Sequence, residues 1–452
     1  MAWAPCFYLG QYPSSHAWWW EHIVENALRP FLHALRTHPH SRSTMALHAS
    51  STEQLYIHGY QAVLEELVDA HMRGQLEFAE TTYIPLVLPL APWDEAARQL
   101  KKNHKVNAHY LGASYAPTGF FLPYGAYSRT TAEFIASLGY RWILQDSASL
   151  PPMLQGKSIL LKGIPHLRVL SRDRAASFAV FEYGAASRPG ADLKELLGRS
   201  PWCITSLDLA LLGCYSPRHA STLASLFAIR SLAISTISNL PVQDALQEEP
   251  LPSCALSREA DLKAHIPFRV FNDPENHMHA LVGMFVSRVQ EVWNRASREA
   301  QVSADIREKY ERVMLHDSAV WASHHPWWSL TMVNKCLQPL LEMMRALPGV
   351  SETLRNELQA LYERILVAAQ GVSMTKLPVH APARASKSEA SWEHLMQGAA
   401  EAWSSQERYS AAQLLCIARE YMGACTSESD RMAVLDELCV AFRALPHLPL
   451  CG

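Results

Sequence analysis

Over its first 250 or so residues the chain alternates short apolar runs with amphipathic stretches of helical spacing, and after about Leu256 the apolar runs stop. That change of rhythm limits the folds open to it. Phe7–Leu9, Thr44–Ala49, Gln75–Phe78, Phe120–Leu122, Arg141–Gln145, Ser158–Leu161 and Trp202–Leu207 read as strands. Between them, Trp18–Leu35, Gln54–Met72, Trp93–Lys102 and Arg129–Leu138 carry helical periodicity. Strand–helix alternation of this kind implies a parallel sheet or barrel, because parallel neighbours need a crossover connection.

Beyond it, His277–Arg295, Ala304–Leu315, Thr331–Leu347 and Glu352–Ala369 read as helices; in the last, Leu354, Leu358, Leu361 and Ile365 share one face. Gly371–Ser391, rich in Pro, Ala, Ser and Lys without periodicity, reads as a linker or loop, and further helices such as Ala411–Tyr421 and Arg431–Leu445 follow. The expected division is a barrel over residues 1–258, a helical domain over 259–370, a linker over 371–391 and C-terminal helices over 392–452.

Composition narrows the class. Among 452 residues, 49% are hydrophobic and 18% charged, which suits a folded core. A net charge of −3 lacks the basic excess that nucleic acid would demand. No apolar run is long enough to span a bilayer, and the first residues lack a signal-peptide pattern, so a cytoplasmic protein with no membrane partner is expected. The nine Cys are dispersed without a C-x-x-C pair, which favours reduced thiols over a disulfide framework or zinc site. His38/His40, His277/His279 and His324/His325 have spacings that suit a metal but no supporting carboxylate or thiol, so neither metal nor cofactor is expected.

The segment with most chemical content is Gly119–Ser128, GFFLPYGAYS. It resembles the nucleophile segment of glycoside hydrolase family 57, roughly G-F-[FW]-x-P-E-x-A-Y-S. Other blocks follow in the family's order. GQLEFAETTYIPLVLPL (Gly74–Leu90) is similar to G-Q-I-E followed by Y-H-x-I-L-P-L. Asp94, Glu95, Arg98 and Gln99 resemble D-E-x-x-R-Q, and RVLSRDRAASF (Arg168–Phe178) resembles R-D-x-x-S-x-x-F. TSLDLALLGCY (Thr205–Tyr215) resembles the acid block T-x-D-G-E-x-x-G-H-H. The resemblance covers about Phe7 to Leu347 and implies a (β/α)7-type barrel followed by a mostly α-helical C-terminal domain.

It also implies roles, and these fall on altered residues. Retaining glycoside chemistry needs two carboxyl groups about 5–5.5 Å apart, a nucleophile and an acid/base. Asp208 matches the acid/base position, while Tyr124 stands at the nucleophile position. A phenol with a pKa near 10 is a poor nucleophile at neutral pH without an activating base. The first block's His falls on Leu9, the second block's on Ile84, the acid block's Glu on Ala210 and its His pair on Cys214 and Tyr215.

The resemblance therefore implies a degenerate member of α-glucan metabolism that binds an α-glucan, an oligosaccharide or a protein partner. The alternative is an active hydrolase or glucanotransferase with a shifted site, pairing Asp208 with Tyr124 or with Glu77 or Glu80. Glu80, Tyr215, Trp327 and Trp328 are the cleft or substrate-binding candidates; for the tryptophans, core packing competes with sugar stacking. FLPYGAYS is also similar to the R-x-P-Y-G motif of polysaccharide deacetylases, although the Asp and His pair that would hold their metal are not found.

Overall fold

The computed structural model describes residues 2–10, 17–150, 157–177, 179–180, 197, 201–210, 219–229, 232–241, 250–299, 302–313, 317–323 and 330–376. It divides into two compact units, the first ending at Pro267 and the second beginning at Phe268.

The first unit is built on β1 (Ala2–Leu9), β2 (Ser43–Leu47), β3 (Leu76–Ala79), β4 (Trp142–Asp146), β5 (Ser158–Leu161), β6 (Ile164–Arg172), β7 (Trp202–Asp208) and the short β8 (Ala233–Ile234). Parallel pairing runs β3-β2-β1-β7, with Cys6 opposite Thr44, Thr44 opposite Glu77 and Tyr8 opposite Asp208. β8 adds to the start of β1. A second sheet has the order β4-β6-β5, parallel between β4 and β6 and antiparallel within the β5–β6 hairpin.

Two junctions close the ring. Phe120 bridges Glu80 on one side and Ile143 on the other. At the opposite seam the Asp173 amide donates to the Ile204 carbonyl at 2.8 Å. The circuit β1, β2, β3, Phe120, β4, β6, β7 is a seven-membered parallel barrel, the class expected from the sequence.

Strand alternation sorts the side chains. Ala2, Ala4, Cys6, Ala46, Ala79, Trp142, Leu144, Leu170, Trp202 and Ile204 pack together with Phe121 and Tyr8 in the interior. Their sheet neighbours, such as Phe120, Ile143, Leu167 and Val169, pack outward against the residues that bring the helices onto the barrel, among them Ala96, Leu100, Ala132 and Ile135.

The crossover helices show where the sequence reading needs correction. α1 (Ala17–Ile23) and α2 (Arg29–Thr37) are joined through a π-helical turn at Val24–Leu28. The helix expected over Gln54–Met72 is two, α3 (Ala49–Ile57) and α4 (Gln61–Met72). Between them Gly59 adopts φ +84, a left-handed conformation that ends α3 and turns the chain. α5 (Trp93–Leu111) runs nine residues past its expected end, and α6 (Arg129–Ser137) starts on the cap Ser128, whose side chain accepts from the Thr131 amide. The Phe120–Leu122 stretch contributes single bridges rather than a full strand. β6 was not anticipated, because IPHLRVLSR puts His and Arg among its apolar residues. α7 (His219–Phe227) and α8 (Glu259–Lys263) complete the described helices of this unit named here.

The second unit is helical: α9 (His277–Glu299), α10 (Ala304–Val313), α11 (Asp317–Trp321), α12 (Leu330–Ala346) and α13 (Glu352–Lys376). Leu358 and Ile365 of α13 are fully buried. Trp293 stacks on Tyr310 at 4.0 Å, tying α9 to α10, and Asn276 donates to the Ala322 carbonyl at 2.7 Å. α13 continues to Lys376, so the stretch expected to begin a linker at Gly371 is helical for its first six residues.

Candidate functional site

A barrel collects chemistry at the carboxyl ends of its strands. Following the interior alternation to those ends reaches Tyr8 on β1, His48 just past β2, Asp146 on β4, Arg172 on β6 and Asp208 on β7. Asp208 is 6% exposed, and its Oδ1 accepts the Ala210 amide at 2.9 Å. It is therefore both a turn carboxylate and an interior one. Beside it on β1, Tyr8 stacks on Phe121 with ring centroids 5.0 Å apart, filling the barrel with aromatic carbon just below the rim.

Tyr124 occupies a turn of unusual geometry. Its φ and ψ are 57° and 11°, left-handed for a residue with a branched ring at Cγ. That conformation costs an L-residue about 1–2 kcal/mol, so the surroundings must impose it. They do so through the 253–255 segment. The Ala255 amide donates to the Tyr124 carbonyl at 2.7 Å, and Tyr127 and Ser253 exchange backbone hydrogen bonds of 2.8 and 3.2 Å. Pro123 before the turn and Gly125 after it, with φ 59°, suit the reversal. The side chain of Tyr124 is half-buried.

The clamp is itself anchored to a buried charge cluster. Asp146 is fully buried, with Arg172 Nε at 3.0 Å and Arg174 Nε at 2.7 Å from its two carboxylate oxygens. Arg174 also donates to the Ser257 carbonyl at 2.9 Å and the Cys254 carbonyl at 3.3 Å. The line from Asp146 through Arg174 to residues 254–257 and on to Tyr124 holds the turn in place. An Asp held between two guanidinium groups is an electrostatic anchor and a poor nucleophile, since attack would have to break both pairs.

His48 escaped the sequence reading because a single His after a strand has no distinguishing spacing. It is 1% exposed, and its Nδ1–H donates to the Thr82 carbonyl at 2.6 Å, leaving Nε2 as the acceptor. Burial pushes its pKa down to about 4, so the ring is neutral at ordinary pH. It lies against Gly10: a Cβ there would come within 2.6 Å of the imidazole.

Glu80, expected as a cleft carboxylate, points the other way. It shares the outward face with Phe78, and it is fully buried. Asn103 Nδ2 at 2.5 Å and the Tyr115 hydroxyl at 2.7 Å donate to Oε1; His104 Nδ1 at 2.9 Å and the Tyr140 hydroxyl at 3.1 Å reach Oε2. Burial, then the Glu80 charge, raises both tyrosines, and the hydrogen bond to Glu80 raises His104. This carboxylate stitches α5 and the β4 approach to β3, and the residue alternation excludes it from the barrel interior. Glu77 does face inward, near the amino ends of the strands, where Thr44 Oγ1 at 3.0 Å, the Ser238 amide at 3.2 Å and the Ser238 hydroxyl donate to it.

The described residues that the sequence resemblance sets at altered positions are buried. Leu9 and Ile84 are fully buried and Ala210 is 2% exposed. The Ile84 amide donates to Gln99 Oε1 at 3.3 Å, while Gln99 and Arg98 both donate to Glu95, which explains structurally the D-E-x-x-R-Q step. Tyr215, Cys214, Trp327 and Trp328 lie outside the described residues. Among the described residues no group of three or more His, Cys, Asp or Glu could hold a metal ion, and no helix is long and apolar enough to cross a membrane.

Comparison with known proteins agrees with this geometry. Residues 8–192 match the model of glycosyl hydrolase family 57. No curated protein matches the chain. Among solved structures, the 4-alpha-glucanotransferase of Thermococcus litoralis superposes with a TM-score of 0.58 at 13% identity, over 78% of this chain. The chain spans 59% of that enzyme's length. The GH57-type branching enzyme of Pyrococcus horikoshii gives 0.57 at 12% identity, over 85% of this chain and 99% of the other. A GH57 branching enzyme of Thermococcus kodakaraensis gives 0.57 at 12% identity, over 84% and 97%. At such identities the structural likeness is one of fold. The chain is thus similar to glycosyl hydrolase family 57 over residues 8–192, and its barrel shares the fold of the GH57 branching enzymes.

Proposed function

We propose that this protein serves carbohydrate metabolism by binding an α-glucan, and that its barrel no longer performs the double displacement of a retaining glycosidase. One observation carries the reading. The turn that would aim a nucleophile is built and clamped as a strained left-handed turn, yet the side chain it presents is the phenol of Tyr124. Strain of this kind persists where surrounding structure over-determines it, so the scaffold outlasts the carboxylate. The other interior carboxylate described near the rim, Asp146, is committed to two arginines. Support for the glucan comes from the structural relatives, which include a 4-alpha-glucanotransferase and branching enzymes. A protein partner bound at the same face is compatible with this reading.

The alternative, an enzyme with a shifted site, draws on Asp208, which keeps its place at the end of β7 inside the barrel. Turnover on maltooligosaccharides and branched and linear α-glucans separates the two, with Asp208→Asn as control and maltoheptaose binding followed by calorimetry. Binding without turnover above the control is expected. Turnover abolished by Asp208→Asn would establish the enzyme reading, and absence of both binding and turnover would remove the glucan.

A further inference from the structure

The opposite end of the barrel contains a cavity that the chemistry above does not use. It measures about 210 Å³ and lies at the amino ends of the strands, walled by Trp142, Trp202, Leu170 and Leu240. Trp142 precedes Asp146 by four positions on β4, and Trp202 precedes Asp208 by six on β7. At 3.3 Å per residue the cavity is therefore roughly 13–20 Å below the rim.

Its polar groups are arranged in two sets. At the mouth stand Arg141 and Arg168, adjacent because the Arg168 amide donates to the Arg141 carbonyl at 2.9 Å. Both side chains are exposed, and among the described residues no carboxylate pairs with either. Inside, Ser158 is 1% exposed and its hydroxyl has no hydrogen-bond partner among the described residues. A buried hydroxyl without a partner costs about 1–3 kcal/mol, which a ligand hydroxyl or water would relieve. Ser238 also lines the space, and its hydroxyl is bonded by Trp142 Nε1 at 2.9 Å and donates to Glu77. Glu77 keeps negative charge on that side, so an anion is directed to the arginine side.

Two arginines at one mouth, one just before β4 and one on the neighbouring β6, supply positive charge suited to a phosphoryl dianion. Indole faces with hydroxyls beside them suit a ring that is apolar on its faces and polar at its edges. We propose that this end of the barrel is a second binding site, for a small phosphate ester whose ring body enters the tryptophan-walled cavity and whose phosphoryl group sits between Arg141 and Arg168. Such a ligand would act apart from the Asp208 rim and could be bound at the same time as a glucan.

The test is a titration of the whole protein with glucose 6-phosphate, inorganic phosphate and glucose, read by tryptophan fluorescence and by thermal shift. Trp142 and Trp202 are direct reporters. The ester is expected to bind saturably and to raise Tm by about 3 °C at a hundredfold excess over Kd. Inorganic phosphate and glucose are each expected to bind at least about tenfold more weakly. The Arg141→Gln/Arg168→Gln variant changes only exposed side chains and should keep the unliganded Tm while losing at least about tenfold in affinity. Ser158→Ala should weaken the ester alone. Equal affinity for inorganic phosphate, which would mean only an adventitious anion, overturns the proposal, as do absent binding and binding indifferent to the arginine variant.

Discussion

At the scale of single residues, two positions show how the barrel spends its tolerance. Gly119 opens the GFFLPYGAYS segment, and a Cβ there would lie 1.7 Å from the Trp142 ring. The ring is 3% exposed and held by Ser238, so relieving the overlap would have to break that bond and push the indole into the cavity it walls. Gly119→Ala should therefore destabilise the protein by about 3 kcal/mol or more, measured as a lowered urea midpoint at unchanged slope. A loss below about 0.5 kcal/mol would mean that Trp142 moves freely. Tyr124 is the reverse case, a side chain where the backbone favours glycine. Tyr124→Gly should recover about 1 kcal/mol of backbone strain, offset by the loss of a half-buried ring, so a net change within about 1 kcal/mol is expected. A loss of 3 kcal/mol would show that the ring is a core element.

At the scale of elements, the Glu80 cluster decides how α5 meets the sheet. Asn103 links two structures: its Oδ1 accepts the Ala49 amide at 2.7 Å at the start of α3, and its Nδ2 donates to Glu80. Glu80→Gln puts an amide NH2 against donors that need an acceptor. A buried carboxylate network broken in this way costs about 2–4 kcal/mol. Denaturation of Glu80→Gln should show that loss while glucan binding survives, because the side chain faces away from the barrel interior. Lost binding with full stability would place Glu80 in the cleft after all. The sequence reading counted Glu80 as a rim candidate because it sits at a strand's end, but which face a strand-end residue takes depends on the strand's register. Phe78 and Glu80 face α4 and α5, as the Phe78–His71 stacking at 5.5 Å confirms for the first of them.

At the scale of the whole molecule, pH should act through histidines of opposite sign: burial lowers His48, His279 and His58, and the hydrogen bond to Glu80 raises His104. His48 falls from an ordinary value near 6.5 to about 4 in the fold, so between these values the unfolded chain binds a proton that the folded one does not. Its contribution is full above pH 6.5 and declines as pH falls toward 4, by about 2 kcal/mol at pH 4.5. His104 is raised, so its contribution is full below pH 6.5 and is lost as pH rises through the raised value; its ring is about half exposed, and the effect is correspondingly small. Urea midpoints at pH 4.5, 6.5 and 8.5 check both. His48→Gln should flatten the fall between 6.5 and 4.5, and His104→Gln the smaller fall on the alkaline side. A wild-type midpoint unchanged from 6.5 to 4.5 would contradict the burial of a neutral His48.

Local physics made much of this legible without coordinates. β-Branched and aromatic runs such as WCITSL form strands wherever they are covered, and the apolar stripe of α13 needs no partner's identity to be read. The order of the motifs, through the resemblance it carries, pointed to the (β/α)7 class, and the WCITSL run placed Asp208 at the end of a strand. What the sequence left open depended on groups far apart in it. Gln75–Phe78 and Arg141–Gln145 could be read as strands, but the Phe120 bridge that joins them could not. Nor could the approach of Arg174 to Asp146, 28 residues away, or of Arg141 to Arg168 at the mouth of a cavity. Periodicity decides which faces are apolar; only the closed barrel decides which polar groups meet inside it, because desolvation and pairing act through space, where chain distance has no bearing.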